Sequence, residues 1–195
     1  MSRRPVAVAI TGGIGAGKSE ALRAFARHGA ATVSSDEIVH HLLLRDDVKR
    51  AVVERVGNGV VAPDGEIDRG ALATAVFNDR DALRWLEELL HPLVAAEYLQ
   101  WREDLAKLPN APQVCVTEVP LLYEVGGDVR FDKVVTITAP TKLRRARSVV
   151  AVDEREARLI PDKEKVERAD YAYTNTGSLE ELDALVISVM DDLKS

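Results

Sequence analysis

A glycine-rich segment lies directly between a short apolar run and an amphipathic stretch near the start of the chain. Residues 12–19, Gly-Gly-Ile-Gly-Ala-Gly-Lys-Ser, fit the pattern Gly-x-x-x-x-Gly-Lys-Ser in full. Glycines let successive backbone N–H groups turn inward around an anion without obstruction from a Cβ atom. The apolar run, residues 6–10, predicts a buried strand, and a helix beginning at Gly17 or Lys18 adds the partial positive charge of its N-terminus. Strand, loop and helix in this order form a phosphate-binding unit of an α/β fold.

The side chains that end this loop suit a nucleoside triphosphate and its metal ion. The Lys18 ammonium can reach the β and γ phosphates, and the Ser19 hydroxyl can coordinate Mg²⁺. We expect Lys18 to be accessible to solvent in the loop. The segment therefore predicts ATP binding with Mg²⁺.

The rest of the chain predicts a doubly wound, parallel α/β sheet with helices on both faces. Short apolar runs alternate with longer helical stretches, and near-continuous apolarity is typical of parallel strands that are covered on both sides. The first helix should end at Arg27 or His28, where Gly29 stops it, and the last should run from residue 179 to about 193. The predicted strands cover residues 6–10, 31–33, 114–117, 134–138 and 171–174.

Residues 35–108 carry no convincing strand pattern and predict a helical insertion between the second and third strands. We expect one of its helices to end near His91 and Pro92, because proline lacks the N–H group of a helix interior. An insertion of this length far exceeds an ordinary connection of about 2–6 residues. We interpret it as a subdomain that covers the substrate.

Composition places the chain among globular proteins. Apolar residues make up 46% and charged residues 30%, which excludes disordered and collagen-like chains. The net charge of −6 argues against a surface made for nucleic acid. Cys115 stands alone in an apolar run, which excludes a disulfide framework, and the first apolar run is too short for a signal peptide or a membrane span. We expect a single cytoplasmic domain, residues 1–195, with no nucleic-acid or membrane partner.

Several features favour a small-molecule kinase over other proteins with this loop. The Asn-Lys-x-Asp guanine-binding motif of GTPases is absent, and the chain is short for a mechanical ATPase. A kinase needs a carboxylate near the acceptor hydroxyl, a substrate cover and arginines that balance the charge of the transition state. Arginine pairs spaced i, i+3 follow the fourth predicted strand, and they are either lid arginines or solvated surface charges: Arg144 with Arg147, and Arg155 with Arg158.

Two carboxylates follow predicted strands, at the end where open α/β sheets gather their ligands. Asp36 follows the second strand, which we expect to lie beside the strand of the phosphate loop; it is either a base or a first-turn helix residue. Glu118 follows the third strand and is either a second candidate base or part of a structural ion pair. Position alone leaves these alternatives open.

Taken in order, the motifs resemble the dephospho-CoA kinase family, and the resemblance covers residues 8 to about 182. It rests on the phosphate loop with Thr11, on Ser35-Asp36-Glu37-Ile38, and on later segments at residues 65–69, 76–77, 86–92, 118–124, 169–170 and 175–177. It implies a nucleoside-kinase-like five-stranded sheet and ATP-dependent phosphorylation of the 3′-hydroxyl of dephospho-CoA, giving coenzyme A and ADP.

The resemblance also implies roles for individual residues. Asp36 would be the base, with Lys18 and the lid arginine Arg147 as further catalytic residues. The metal would bind Ser19. The ATP-binding residues would be Gly12, Gly13, Ile14, Gly15, Ala16, Gly17, Lys18, Ser19, Glu20, Asn175 and Gly177. The acceptor-binding residues would be Asp36, Arg69, His91, Pro120, Leu121 and Glu124.

The implied organisation is a nucleotide-binding core of residues 1–34 and 109–195, a CoA-binding insertion of residues 35–108 and a short lid of residues 141–165, in a monomer or weak homo-oligomer. The chain departs from the family pattern in three places. Ser34 replaces the first Asp of the Asp-Ala-Asp segment, Glu20 replaces a Thr, and the lid segment is short and lacks an expected Gln. A non-catalytic ATP-binding regulator and a kinase of another small nucleotide-like acceptor therefore stay open as alternatives.

Overall fold

The computed structural model describes residues 4–147 and 159–195, which contain a five-stranded, all-parallel sheet. The strand order is β2-β3-β1-β4-β5. This confirms the predicted α/β sheet, and each strand begins and ends within one residue of its predicted bounds. The strands are β1 (Val6–Thr11), β2 (Ala31–Ser34), β3 (Val114–Glu118), β4 (Lys133–Thr138) and β5 (Tyr171–Thr174).

The helices follow the strands in the expected alternation, and the first begins at Lys18 and ends at Arg27 as predicted. In the part of the chain that the structure describes, no helix is long and apolar enough to cross a membrane. The α-helices are α1 (Lys18–Arg27), α2 (Ser35–Leu43), α3 (Asp46–Val56), α4 (Arg69–Phe77), α5 (Arg80–Lys107), α6 (Thr141–Arg147), α7 (Asp162–Arg168) and α8 (Leu179–Lys194).

The chain divides into two compact units, and the sheet belongs to the one formed by Met1–Ser35 and Trp101–Ser195. One face of the sheet packs against α1 and α8 in a core that includes Val8, Ile10, Phe25 and Val186. On the other face, Ala9 and Val134 pack with Leu122 and Tyr123. Helix α7 covers this second face too, because the Thr136 hydroxyl donates to the Lys165 carbonyl over 3.2 Å. Side chains that alternate along the strands therefore pack into a core on each face of the sheet.

Cys115 lies on β3 inside this unit and is buried, as its apolar neighbours predict. Burial raises the pKa of its thiol to about 11, so the group is a neutral thiol at physiological pH. The residue therefore serves as a small apolar side chain of the core.

The second unit, Asp36–Gln100, is helical, and its described backbone pairs in β fashion only at an isolated bridge between Val61 and Ile67. Helices α3 and α4 contact each other and a short 3-10 turn, Asn58–Val60. The Asp68 carboxylate caps α4 by accepting from the Gly70 and Ala71 N–H groups over 2.8 and 3.0 Å. The helical character predicted for this stretch is confirmed.

Helix α5 continues through Pro92, so the predicted end near His91 and Pro92 is wrong. A proline inside a helix costs one backbone hydrogen bond and a steric clash, about 3 kcal/mol. Leu86, Leu90 and Tyr98 are buried and lie on one stripe on both sides of the proline. Burying each such side chain contributes roughly 1.5–3 kcal/mol, which together outweighs the cost of the proline.

Candidate active site

The phosphate loop connects β1 to α1 at the carboxyl edge of the sheet. Gly17 is the N-cap of α1, and Gly12 follows β1 with φ +140°. A Cβ atom at Gly12 would lie 1.9 Å from the Ile137 carbonyl oxygen at the end of β4. The close approach of these two strand ends therefore requires glycine at position 12, in addition to its positive φ.

Lys18 lies inside the loop, and the expectation that it is accessible to solvent is wrong. The side chain is only 9% exposed, and its Nζ donates to the Gly13 carbonyl over 2.9 Å. The loop curls back over the first residue of α1, so a carbonyl five residues earlier meets the ammonium. The positive charge is thereby held within the curve of the loop.

Ser19 and Glu118 form a hydroxyl–carboxylate pair next to the loop. The Ser19 Oγ donates to Glu118 Oε1 over 3.3 Å, and Glu118 is only 5% exposed as the last residue of β3. Ile10 of β1 is the partner of Glu118 in the strand register. Two oxygen ligands of this kind suit a hard divalent cation such as Mg²⁺. Within residues 4–147 and 159–195, no group of three or more His, Cys, Asp or Glu side chains could hold a metal ion.

The strand order corrects the expectation that β2 lies beside the strand of the phosphate loop. β3 separates β2 from β1, so the neighbouring strand ends in Glu118 instead. Ser34, at the end of β2, pairs in register with Glu118. An apolar run indicates that a segment is a strand, but it does not indicate which strands lie beside it. Any two such strands can form the same backbone hydrogen bonds with each other.

Asp36 is an exposed residue in the first turn of α2, two positions after the end of β2. This location matches the first-turn alternative that the sequence left open, and a first-turn carboxylate also interacts favourably with the helix dipole. The base role of Asp36 stays a prediction. Arg69 is the first residue of α4, and His91 lies within α5, so both belong with Asp36 to the unit Asp36–Gln100.

Glu20 lies in the first turn of α1 with its carboxylate bound to arginines of the same helix. Arg23 and Arg27 donate to it over 2.8 and 3.2 Å. The hydrogen bond from Arg23 is the main cause that lowers the pKa of this carboxyl. These arginines therefore compensate the negative charge of Glu20, which stands where the family pattern has a threonine.

Two of the four predicted lid arginines, Arg155 and Arg158, lie outside the described residues. Arg144 of α6 is buried, and its Nη2 lies 3.5 Å from Thr141 Oγ1 and 3.9 Å from an Asp162 carboxylate oxygen. Arg147, at the end of the same helix, is exposed, and a Cβ atom at Gly177 would lie 3.4 Å from its Nη2. The i, i+3 pair therefore occupies two different environments.

Three of the implied acceptor-binding residues follow β3. The Pro120 carbonyl accepts from Thr11 Oγ1 over 3.4 Å, and Leu121 is half-buried. Glu124 Oε1 accepts from the Ile160 N–H over 3.0 Å and lies 2.7 Å from Lys165 Nζ. Lys165 is completely buried, and sequence reasoning missed it. It lies in a charged run that is typical of a solvated helix, so the sequence carries no signal for its burial.

Asn175 follows β5 and is buried against the phosphate loop, only 5% exposed. Its Nδ2 donates to the Ala16 carbonyl over 2.9 Å. Its Oδ1 accepts from the Gly177 N–H over 3.0 Å. The structure thus places Asn175 at the edge of the sheet that also holds Gly12 and Glu118.

Comparison with known proteins shows the family to which the chain belongs. A family model described as dephospho-CoA kinase matches residues 6–181. A protein named dephospho-CoA kinase from Protochlamydia amoebophila is 38% identical over 195 residues, which cover 96% of each chain. A crystal structure from Thermus thermophilus has 31% identity, a TM-score of 0.76 and coverage of 98% of this chain and 99% of its own. The structure of dephospho-CoA kinase from Campylobacter jejuni has 26% identity, a TM-score of 0.70 and 96% coverage of each chain. The family match extends from the first residue of β1 into α8. The chain therefore belongs to the dephospho-CoA kinase family.

Proposed function

We propose that this chain transfers the γ-phosphoryl group of ATP to the 3′-hydroxyl of dephospho-CoA, giving coenzyme A and ADP. The observation that carries the proposal is the hydroxyl–carboxylate pair of Ser19 and Glu118 beside a loop that encloses the Lys18 ammonium. Phosphoryl transfer depends mainly on positioning and on charge stabilisation, and these groups supply both. Family membership supports the identity of the acceptor.

Mg²⁺ fits the oxygen ligands at this site. The Ser19 hydroxyl and the Glu118 carboxylate would hold it, with the phosphates of ATP completing its coordination. When bound, the ion neutralises charge that develops on the β- and γ-phosphate oxygens. Lys18 adds a second positive charge by exchanging the Gly13 carbonyl for a phosphate oxygen. Arg147 is the arginine that we assign to the transferring group.

Asp36 would orient the 3′-hydroxyl and accept its proton. As the bond from the 3′-oxygen to phosphorus forms, the bond from the γ-phosphorus to the bridging oxygen breaks and ADP leaves. The proton passes to the Asp36 carboxylate, whose short side chain is exposed at the start of α2.

The acceptor would bind to the insertion of residues 35–108, with Arg69 and His91 as contacts, and to Pro120 and Leu121 of the core. The adenine of ATP would lie near Asn175 and Gly177. Residues 141–165, of which 148–158 lie outside the described residues, would form the lid over a core of residues 1–34 and 109–195. We also propose a cytoplasmic enzyme that is a monomer or weak homo-oligomer.

Incubation of the chain with Mg-ATP and dephospho-CoA tests the proposal. Mass spectrometry should detect a product heavier by one phosphate together with ADP. Coenzyme A, which already carries the 3′-phosphate, is the matched control and should not react. Transfer to adenosine or AMP but not to dephospho-CoA would indicate a kinase of another nucleotide-like acceptor. ATP binding without any phosphorylated product would indicate a regulator.

A further inference from the structure

We infer that Asn175 is a positioning residue of the phosphate loop, whose side-chain amide fixes the peptide between Ala16 and Gly17. The inference rests on the proposed binding of ATP and deepens it. It assigns the side chain a task beyond the contact with adenine that the family resemblance implies.

The amide of Asn175 is directed at backbone groups on both of its sides. Its Nδ2 donates to the Ala16 carbonyl over 2.9 Å, and its Oδ1 accepts from the Gly177 N–H over 3.0 Å. Its own backbone N–H donates to the Thr138 carbonyl over 2.7 Å, which continues the pairing of β5 with β4. The side chain is buried, so each of these bonds is shielded from competing water.

The bond to the Ala16 carbonyl determines where the next N–H group points. A trans peptide is planar, and its C=O and N–H bonds point in opposite directions. Holding the Ala16 carbonyl against Asn175 therefore turns the Gly17 N–H away from Asn175. Gly17 is the N-cap of α1, and backbone N–H groups at a helix N-terminus are the donors that bind phosphate.

The close contact also explains why position 17 is a glycine. Gly17 has φ +104°, and a Cβ atom there would lie 2.3 Å from the Asn175 Nδ2. Any larger residue would push the amide off the Ala16 carbonyl. The residue pair Gly17 and Asn175 thus joins the phosphate loop to the loop that follows β5.

Binding of Mg-tripolyphosphate separates this role from a contact with adenine, because tripolyphosphate has no base. Dissociation constants of Mg-ATP and Mg-tripolyphosphate are measured by calorimetry for the wild-type chain and for Asn175→Leu, which keeps the volume and removes both hydrogen bonds. Asn175→Ala is the second variant, and both are measured well below their thermal midpoints. Thr176→Ala is the matched control, since Thr176 is the exposed neighbour that bonds Glu181 instead.

We expect both ligands to bind about tenfold more weakly in the Asn175 variants, by the same factor, because nothing then holds the Gly17 N–H in the orientation that binds phosphate. The control should bind both ligands as the wild type does. Weaker ATP binding with unchanged tripolyphosphate binding would overturn the inference and leave Asn175 as an adenine contact. A lowered thermal midpoint with both constants unchanged would also overturn it. Neither result depends on transfer to dephospho-CoA, whose absence in the wild type would instead refute the proposed function.

Discussion

The Ser19 hydroxyl donates to the Glu118 carboxylate over 3.3 Å and so joins the first turn of α1 to the last residue of β3. The pair combines an exposed hydroxyl with a buried carboxylate. Glu118 therefore places a buried carboxylate charge beside the loop. A hard cation bound there would offset this charge.

Glu118→Gln should raise the Mg²⁺ concentration needed for half-maximal rate by roughly 10–100-fold, because it removes the charge and keeps the shape. Initial rates measured against MgCl₂ at fixed ATP provide the test. Asp36→Asn is the contrasting variant and should lower the rate without moving the Mg²⁺ dependence. An unchanged Mg²⁺ profile in Glu118→Gln would show that Glu118 does not hold the metal ion that we propose.

Asp36→Asn should lower kcat by roughly 10²–10⁴-fold and leave ATP affinity nearly unchanged, since the variant cannot accept a proton from the acceptor hydroxyl. Steady-state kinetics with dephospho-CoA measure the loss. Glu37→Gln changes the adjacent exposed carboxylate of the same helical turn and should behave as the wild type. If Asp36→Asn retains a rate within a few-fold of wild type, Asp36 serves only the helix and Glu118 is the next candidate base.

Lys18→Ala should reduce phosphoryl transfer by roughly 10²–10³-fold, because the loop loses its preorganised charge. Its circular dichroism spectrum should match that of the wild type. Lys107→Ala removes an exposed lysine that pairs with Asp104 and should keep full activity. Wild-type turnover of Lys18→Ala would contradict the assignment of the loop.

Glu124→Gln should destabilise the fold by about 3–5 kcal/mol, because it leaves the Lys165 ammonium buried without a compensating charge. Urea denaturation measures the loss, and adding Lys165→Met should recover part of it. Lys107→Gln, which breaks an exposed pair, should leave the midpoint unchanged. An unchanged stability of Glu124→Gln with a raised KM for dephospho-CoA would instead make Glu124 a substrate contact.

Asp183 links α8 to α1 and should make stability fall in acid. A hydrogen bond from Arg27, followed by one from His28, lowers the pKa of this carboxyl below its ordinary value of 3.8. Since the folded state binds the proton less readily than the unfolded chain, the contribution is complete above pH 3.8 and is lost as pH falls through the folded pKa. Asp183→Asn should flatten the drop of the thermal midpoint below that pH. Identical slopes in both proteins would show that the pair contributes nothing.

The strands and the phosphate loop could be predicted because their signals are local. The apolar run Val114-Cys115-Val116 at the start of β3 needs no partner to be read as part of a buried strand. The glycines before Lys18 indicate a backbone turn that larger residues could not adopt. The helical character of the stretch after β2 could be predicted for the same reason, because helical periodicity is also a local signal.

The corrected expectations depend on the folded geometry, which a linear sequence pattern does not record. The order that places β3 beside β1 is set by pairing across the insertion, and no strand pattern encodes it. The continuation of α5 through Pro92 depends on the burial of the side chains of this helix. The enclosure of Lys18 depends on the path of the loop, which brings the Gly13 carbonyl to the ammonium group. Burial of Lys165 is visible only once Glu124 is brought beside it.

The central place of β1 in the sheet has a consequence for how the protein is made. During synthesis on a ribosome, β1 emerges before its two neighbours, β3 and β4, which are encoded only after residue 113. The unit Asp36–Gln100 emerges between them and carries its own buried residues, such as Val48, Val52 and Leu72. The nascent chain can therefore order this helical unit while β1 has no strand to pair with. The loop that follows β1 is therefore translated well before the strands that flank β1 in the sheet.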